Sequence, residues 1–80
     1  MDISDALVLY VVPDCPLCDE VRTWLRGANV DFQERDVAND YSALRKMYRL
    51  TRQGLVPVIE KLGKALVRPD KETLERFIGA

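Results

Sequence analysis

Ala6-Leu7-Val8-Leu9-Tyr10-Val11-Val12-Pro13-Asp14-Cys15-Pro16-Leu17-Cys18 is the stretch on which the reading of this chain turns. Its first half is a continuous apolar run rich in β-branched and aromatic residues, which predicts a strand buried on both faces. Pro13-Asp14 ends the run. After it Leu17, Val21, Trp24, Leu25 and Ala28 recur at helical spacing. Asp14 is placed to cap that helix, Asp19 and Glu20 suit its first turn, and Gly27 and Asn29 mark its end. The chain has only two cysteines, and both fall in the first turn of this helix. Two sulfurs at that spacing can close into a disulfide and reopen with little backbone movement. The unpaired N–H groups at a helix start favour a thiolate over a thiol. Strand, turn and Cys-x-x-Cys together point to thiol–disulfide exchange.

The elements beyond this stretch follow from their periodicity. Val30 to Val37 opens with alternation and reads as a strand. Ala38 to about Leu50 reads as a helix, with Tyr41, Leu44, Met47 and Tyr48 on its packed face. Residues 51–54 form a loop. Val56-Pro57-Val58-Ile59-Glu60 is a strand in which Pro57 must stand at the start or on a free edge. Gly63 turns the chain into a short strand, Ala65-Leu66-Val67. Asp70 caps a last helix whose Leu74, Phe77 and Ile78 face inward. The order is β-α-β-α-β-β-α. Its first βαβ unit should be parallel with a right-handed crossover, and its last two strands an antiparallel hairpin.

Composition narrows the function. Eighty residues make one domain with a thin core. Twelve basic and thirteen acidic residues are well mixed, with a net charge of −1 and no basic stripe, which argues against nucleic acid as partner. No apolar run approaches the ~20 residues of a membrane span, and the acidic start is unlike a secretory signal, so a cytoplasmic location is expected. In a reducing compartment a Cys-x-x-Cys pair is catalytic or metal-binding rather than a framework disulfide. Histidine is absent, which removes imidazole bases and ligands within one chain. Zinc wants four ligands, and a single chain offers two thiolates.

The element order, with Cys-x-x-Cys between the first strand and first helix, resembles the thioredoxin fold in its minimal glutaredoxin form: an α/β domain with a four-stranded mixed sheet flanked by helices. Residues 10–18 look like that family's active-site segment. Gln53-Gly54-Leu55-Val56-Pro57-Val58 looks like its segment around a cis-proline. Arg68-Pro69-Asp70 is similar to the sequence before the last helix in small redoxins that take electrons from thioredoxin reductase. The resemblance implies a thiol–disulfide oxidoreductase with Cys15 as nucleophile and Cys18 as resolving thiol. It implies that Pro57 is cis and faces the cysteines, and that Val56 offers its backbone N–H and C=O to an extended substrate. Pro16 and Leu17, between the cysteines, would tune the pair and touch substrate. Gln53 matches a glutathione-contacting position, and the helix start at Asp70 belongs to the same site. For Arg68 two readings stand: a solvated strand end or partner for Asp70, and, as the resemblance implies, a contact to a reductase or a substrate carboxylate. Val12 and Leu55 depart from the glutathione-using pattern, which usually has a basic residue and a threonine there.

The implied partners are disulfide-containing proteins, with glutathione or thioredoxin reductase as electron donor, no bound organic cofactor, and a monomer. The alternative is an iron–sulfur cluster or metal-binding carrier on the same fold, in which two chains pool their thiolates. Core packing is the expectation for Trp24. For Tyr10, core packing and a place lining the site both stand. Arg45, Lys46, Arg49 and Arg52 read as a solvated helix face whose approach to the active-site loop can guide an anionic partner. Asp14 should oppose thiolate formation on Cys15 through its charge.

Overall fold

The computed structural model describes residues 7–79, and the Ala6 start of the first strand lies outside them. The apolar run forms β1 (Leu7–Val11), followed by α1 (Pro16–Gly27), β2 (Phe32–Asp36), α2 (Tyr41–Thr51), β3 (Val58–Lys61), β4 (Lys64–Val67) and α3 (Lys71–Gly79). The four strands make one mixed sheet in the order β2-β1-β3-β4. β1 runs parallel to β2 and antiparallel to β3, and β3 and β4 form an antiparallel hairpin. The α/β order and the pairing expected from the sequence are both present.

Being central, β1 is covered on both faces, as its unbroken apolar run requires. Register separates the two faces. Leu9, Glu34, Ile59 and Leu66 form one row across the sheet. On this side Arg22 of α1 clasps Glu34 through both guanidinium edges, Nε to Oε2 at 2.6 Å and a terminal nitrogen to Oε1 at 3.0 Å. The same guanidinium reaches Asp19. Glu34, and then Asp19, hold Arg22 firmly protonated. The clasp ties α1, which carries Cys18 and is capped by Cys15, to the edge strand.

Val8 and Tyr10 project to the other face, towards α2. Tyr10 is fully buried and donates its hydroxyl to Glu60 at 2.7 Å, while Lys46 of α2 lies 3.7 Å from the other carboxylate oxygen. Burial, followed by the Glu60 hydrogen bond, pushes the Tyr10 hydroxyl's pKa up. Of the two readings open for Tyr10, the core is the one realised. The rest of the core includes Leu7, Leu9, Val11, Val21, Leu25, Met47, Val58, Ile59 and Leu74, with Phe77 and Ile78 packed against it.

Several expectations are corrected. β2 is shorter than the 30–37 reading. α2 begins at Tyr41 rather than Ala38, because Asp40 is its cap and accepts from the Ala43 N–H at 3.2 Å. Thr51 belongs to this helix, which closes on Arg52 in a left-handed conformation. Val56 and Pro57 precede β3 instead of opening it, which removes the difficulty of a proline within a ladder. Tyr41 and Tyr48, assigned to the packed face of α2, are 73% and 55% exposed. At 100° per residue, the buried stripe through Ala43 and Met47 lies opposite the two tyrosines.

Candidate active site

The turn between β1 and α1 decides which atom caps the helix. Asp14, expected in that role, has φ 57°, a left-handed conformation. An N-cap residue needs extended backbone. Cys15 supplies it, at φ −118° and ψ 103°, and its Sγ accepts the Cys18 N–H at 3.1 Å. Aspartate tolerates the left-handed region better than most residues, so Asp14 serves as the hinge that lifts Cys15 into the cap position. Pro16 occupies the first helical position, where its missing N–H costs nothing. The helix thus directs one of its unpaired donors at sulfur.

Cys15 and Cys18 form a disulfide, with Cα atoms 5.2 Å apart. Their surroundings differ. Cys18 is fully buried in the core beside Val21, whereas Cys15 is half-buried and Pro16 and Leu17 are exposed. Access to the pair is therefore from the Cys15 side.

The Val56–Pro57 peptide bond is cis, as the resemblance implied. A narrow cleft of about 30 Å3 brings Pro57 together with Leu17, Arg68, Pro69, Glu20 and Trp24. Three residues singled out from sequence, Leu17, Pro57 and Arg68, thus share one surface. Trp24 joins them while also packing against the core. Core packing, the expectation for Trp24, holds, and its outer edge, two turns after Leu17, also lies on the cleft, where a substrate platform was the lesser alternative.

Arg68 has a structural task that the sequence did not disclose. Its Nε donates to the Val56 carbonyl at 2.7 Å, and its backbone N–H donates to the Pro57 carbonyl at 2.9 Å. It makes this double contact with its own backbone at φ 47°. Arg68 thus engages one of the two lone pairs of the Val56 carbonyl, the group the resemblance implies is offered to a substrate together with the Val56 N–H.

Gln53 is also committed internally. Its Oε1 accepts from the Leu55 N–H at 2.7 Å, and its Nε2 donates to Thr51 Oγ1 at 3.0 Å and to the Leu55 carbonyl at 3.3 Å. These bonds shape the loop leading to Val56. Asp70 caps α3 as expected, accepting from the Thr73 N–H at 2.8 Å, and that bond pulls its pKa down. Val12, the position that departs from the glutathione-using pattern, is half-buried against the core, and Leu55 is 50% exposed. Among the described residues there is no group of three or more Cys, His, Asp or Glu side chains arranged to hold a metal ion.

A four-stranded mixed sheet with a Cys-x-x-Cys pair at the start of α1 and a cis-proline before β3 defines a thiol-redox protein of the thioredoxin fold. More narrowly, the chain belongs to the glutaredoxin family, whose match spans residues 7–65. It is 33% identical over 70 residues to an uncharacterized glutaredoxin-like 8.6 kDa protein in the rubredoxin operon of Clostridium pasteurianum, covering 88% of this chain and 93% of that one. The glutaredoxin grx-1 of Archaeoglobus fulgidus superposes with a TM-score of 0.86 at 21% identity, over 95% of this chain and 88% of the other. The thioredoxin-like protein BC3987 superposes with a TM-score of 0.81 at 27% identity, over 88% of this chain and 96% of the other. Among the described residues no helix is long and apolar enough to cross a membrane.

Proposed function

We propose that this protein is a cytoplasmic thiol–disulfide oxidoreductase that reduces protein disulfides through Cys15 and Cys18. The observation that carries the reading is the contrast between the two sulfurs. Cys15 is the accessible one and sits where a helix start donates an N–H, while Cys18 is buried one turn inside. A thiolate on Cys15 gains from the N–H and from the helix dipole, and a thiolate is the attacking species.

In the forward step the Cys15 thiolate attacks one sulfur of a substrate disulfide. The substrate S–S bond breaks, one substrate thiolate leaves, and a Cys15–substrate disulfide forms. Cys18 loses its proton and attacks Cys15 Sγ, releasing the second substrate thiolate and closing the Cys15–Cys18 bond. The substrate gains two electrons, the protein loses two, and the two substrate thiolates take up protons. An external reductant then restores the dithiol.

Leu17, Trp24 and Pro57 form the surface against which the substrate chain lies, with the Val56 N–H as its backbone contact. The internal bonds of Gln53 and Arg68, together with Val12 and Leu55, favour dithiol exchange with proteins over a dedicated glutathione site. Glutathione or a thioredoxin reductase serves as electron donor, and the protein works as a monomer without a bound organic cofactor.

The test is a Cys18→Ser variant incubated with a disulfide-bonded protein. A stable mixed disulfide on Cys15, released by dithiothreitol, is expected. Failure to trap any disulfide, in a variant that keeps the wild-type circular dichroism, would overturn the reading. Parallel NADPH-coupled assays, one with glutathione and glutathione reductase and one with thioredoxin reductase, assign the donor.

A further inference from the structure

A second surface lies away from the disulfide, on the outer face of α2. Tyr41, Leu44, Arg45, Tyr48, Arg49 and Arg52 line an open groove of about 560 Å3. Both tyrosines are largely exposed, and the Arg45 guanidinium sits 5.8 Å above the Tyr41 ring. Among the described residues the charges here have no carboxylate counterpart. Arg22, Arg35 and Arg76 are each paired with a carboxylate, whereas Arg45, Arg49 and Arg52 form no ion pair among the described residues. α2 contains no acidic residue. Arg45 and Arg49 are one helical turn apart, a like-charge spacing that disfavours the helix. Positive charge is thus concentrated on one face of a chain whose net charge is −1.

We propose that this face docks an acidic segment, carrying one or two apolar side chains, of the protein that exchanges electrons with Cys15. The three guanidinium groups meet carboxylates, and the tyrosines and Leu44 receive the apolar side chains. The groove leads towards the site. Arg52 ends α2, and the chain continues through Gln53-Gly54-Leu55 to Val56 and Pro57. That span is at most roughly 18 Å when fully extended, so a partner seated on α2 reaches the cleft with about five residues. Overall charge favours a protein over a nucleic acid as occupant, since the chain as a whole is slightly acidic, with a net charge of −1. The identity of the partner as a redox protein rests on the proposed function, whereas the docking itself does not.

Two probes separate these claims. The first is a fluorescein-labelled peptide of about a dozen residues, rich in glutamate with two leucines and no cysteine, beside its glutamine counterpart. Anisotropy should show the acidic peptide binding about tenfold tighter at low ionic strength, and the gap should close at roughly 0.3 M salt, where exposed charges are screened. Arg45→Gln/Arg49→Gln/Arg52→Gln should bring the ratio to about one. Amide chemical-shift changes in the wild-type protein should map to residues 41–52, a readout that does not depend on the variant folding. Equal binding of the two peptides, or shifts elsewhere, overturns the proposal. So does a thymidine oligonucleotide that binds as tightly as the acidic peptide. A dimer in sedimentation that the triple substitution dissolves assigns the face to a second copy instead, and likewise overturns it.

The second probe is the same peptide pair built around a disulfide, with bis(2-hydroxyethyl) disulfide as the small control. A lower KM for the acidic version, with kcat unchanged, supports docking in service of exchange. Binding of the first probe with no reduction of any disulfide would leave the docking face standing and overturn the redox role. Reduction of all three substrates with no acidic preference would do the reverse.

Discussion

α2 and α3 begin on aspartate, whereas α1 begins on sulfur. Asp40 and Asp70 each accept a backbone N–H from the first turn of their helices, and the Asp40 carboxyl is held down at about 2, chiefly by the Ser42 hydroxyl, then the Ala43 N–H and Arg35. At α1 an aspartate is also at hand, yet Asp14 is turned out into the left-handed region and Cys15 takes its place. A sulfur is a weaker acceptor than a carboxylate oxygen, so this cap does less for the helix. In return, the helix start acts on the one atom whose ionisation governs exchange. Two helix starts serve stability; the third serves reactivity.

The contrast can be broken most sharply at Cys15. Cys15→Ser should abolish disulfide reduction, yet serine is among the preferred N-cap residues and should hold α1 at least as well as the reduced wild type. Cys15→Ala removes both functions and should cost about 1 kcal/mol relative to serine. Thermal melts under reducing conditions, alongside a turnover assay, check both variants. If serine were as destabilising as alanine, the sulfur would not be functioning as a cap.

At the aspartate-capped helices the opposite pattern is expected. Asp40→Ala should lower the thermal midpoint and leave the rate of Cys15 alkylation unchanged. Its pH dependence follows from the sign of the shift. The folded-state pKa lies below the unfolded value of 3.8, so the stabilisation is present above about pH 4 and is lost as pH falls towards 2. The difference in midpoint between wild type and Asp40→Ala, measured from pH 6 to pH 2.5, should shrink across that window. A constant difference would contradict the cap assignment.

The smallest effect belongs to Asp14. Its carboxylate adjoins Cys15, and Asp14→Asn removes the charge while keeping a residue that tolerates a positive φ. The Cys15 pKa should fall by a fraction of a unit, about what an exposed neighbouring charge exerts through solvent. Titration of thiolate absorbance near 240 nm detects it, and no change or a rise would contradict the opposing effect of the Asp14 charge.

Much of this was legible in the chain. β1 could be read because a strand covered on both faces must be apolar throughout, and the Cys-x-x-Cys helix because Leu17, Val21 and Leu25 hold a helical period. Asp70 was recognisable as a cap because only local geometry is involved. What the sequence concealed depends on long-range pairing or on backbone that side-chain pattern does not report. The Arg68 contact to the Val56 carbonyl joins positions far apart in the chain, and nothing in Arg-Pro-Asp announces it. Asp14 looked like a cap because aspartate so often is one; the positive φ that displaces it leaves no mark on composition. The tyrosines of α2 were misplaced because aromatic residues at helical spacing resemble a core stripe, while the real stripe uses the less conspicuous Ala43 and Met47.

The most direct test of the account is the pH dependence of alkylation in the fully reduced protein, with limiting iodoacetamide and each cysteine quantified by mass spectrometry. Cys15 should be modified first, with an apparent pKa below the ~8.5 of a free cysteine, and Cys18 should be spared until the protein is denatured. Modification of Cys18 first, or of Cys15 only with the pH profile of a free thiol, would contradict the assignment of the α1 start as the site of the reactive thiolate.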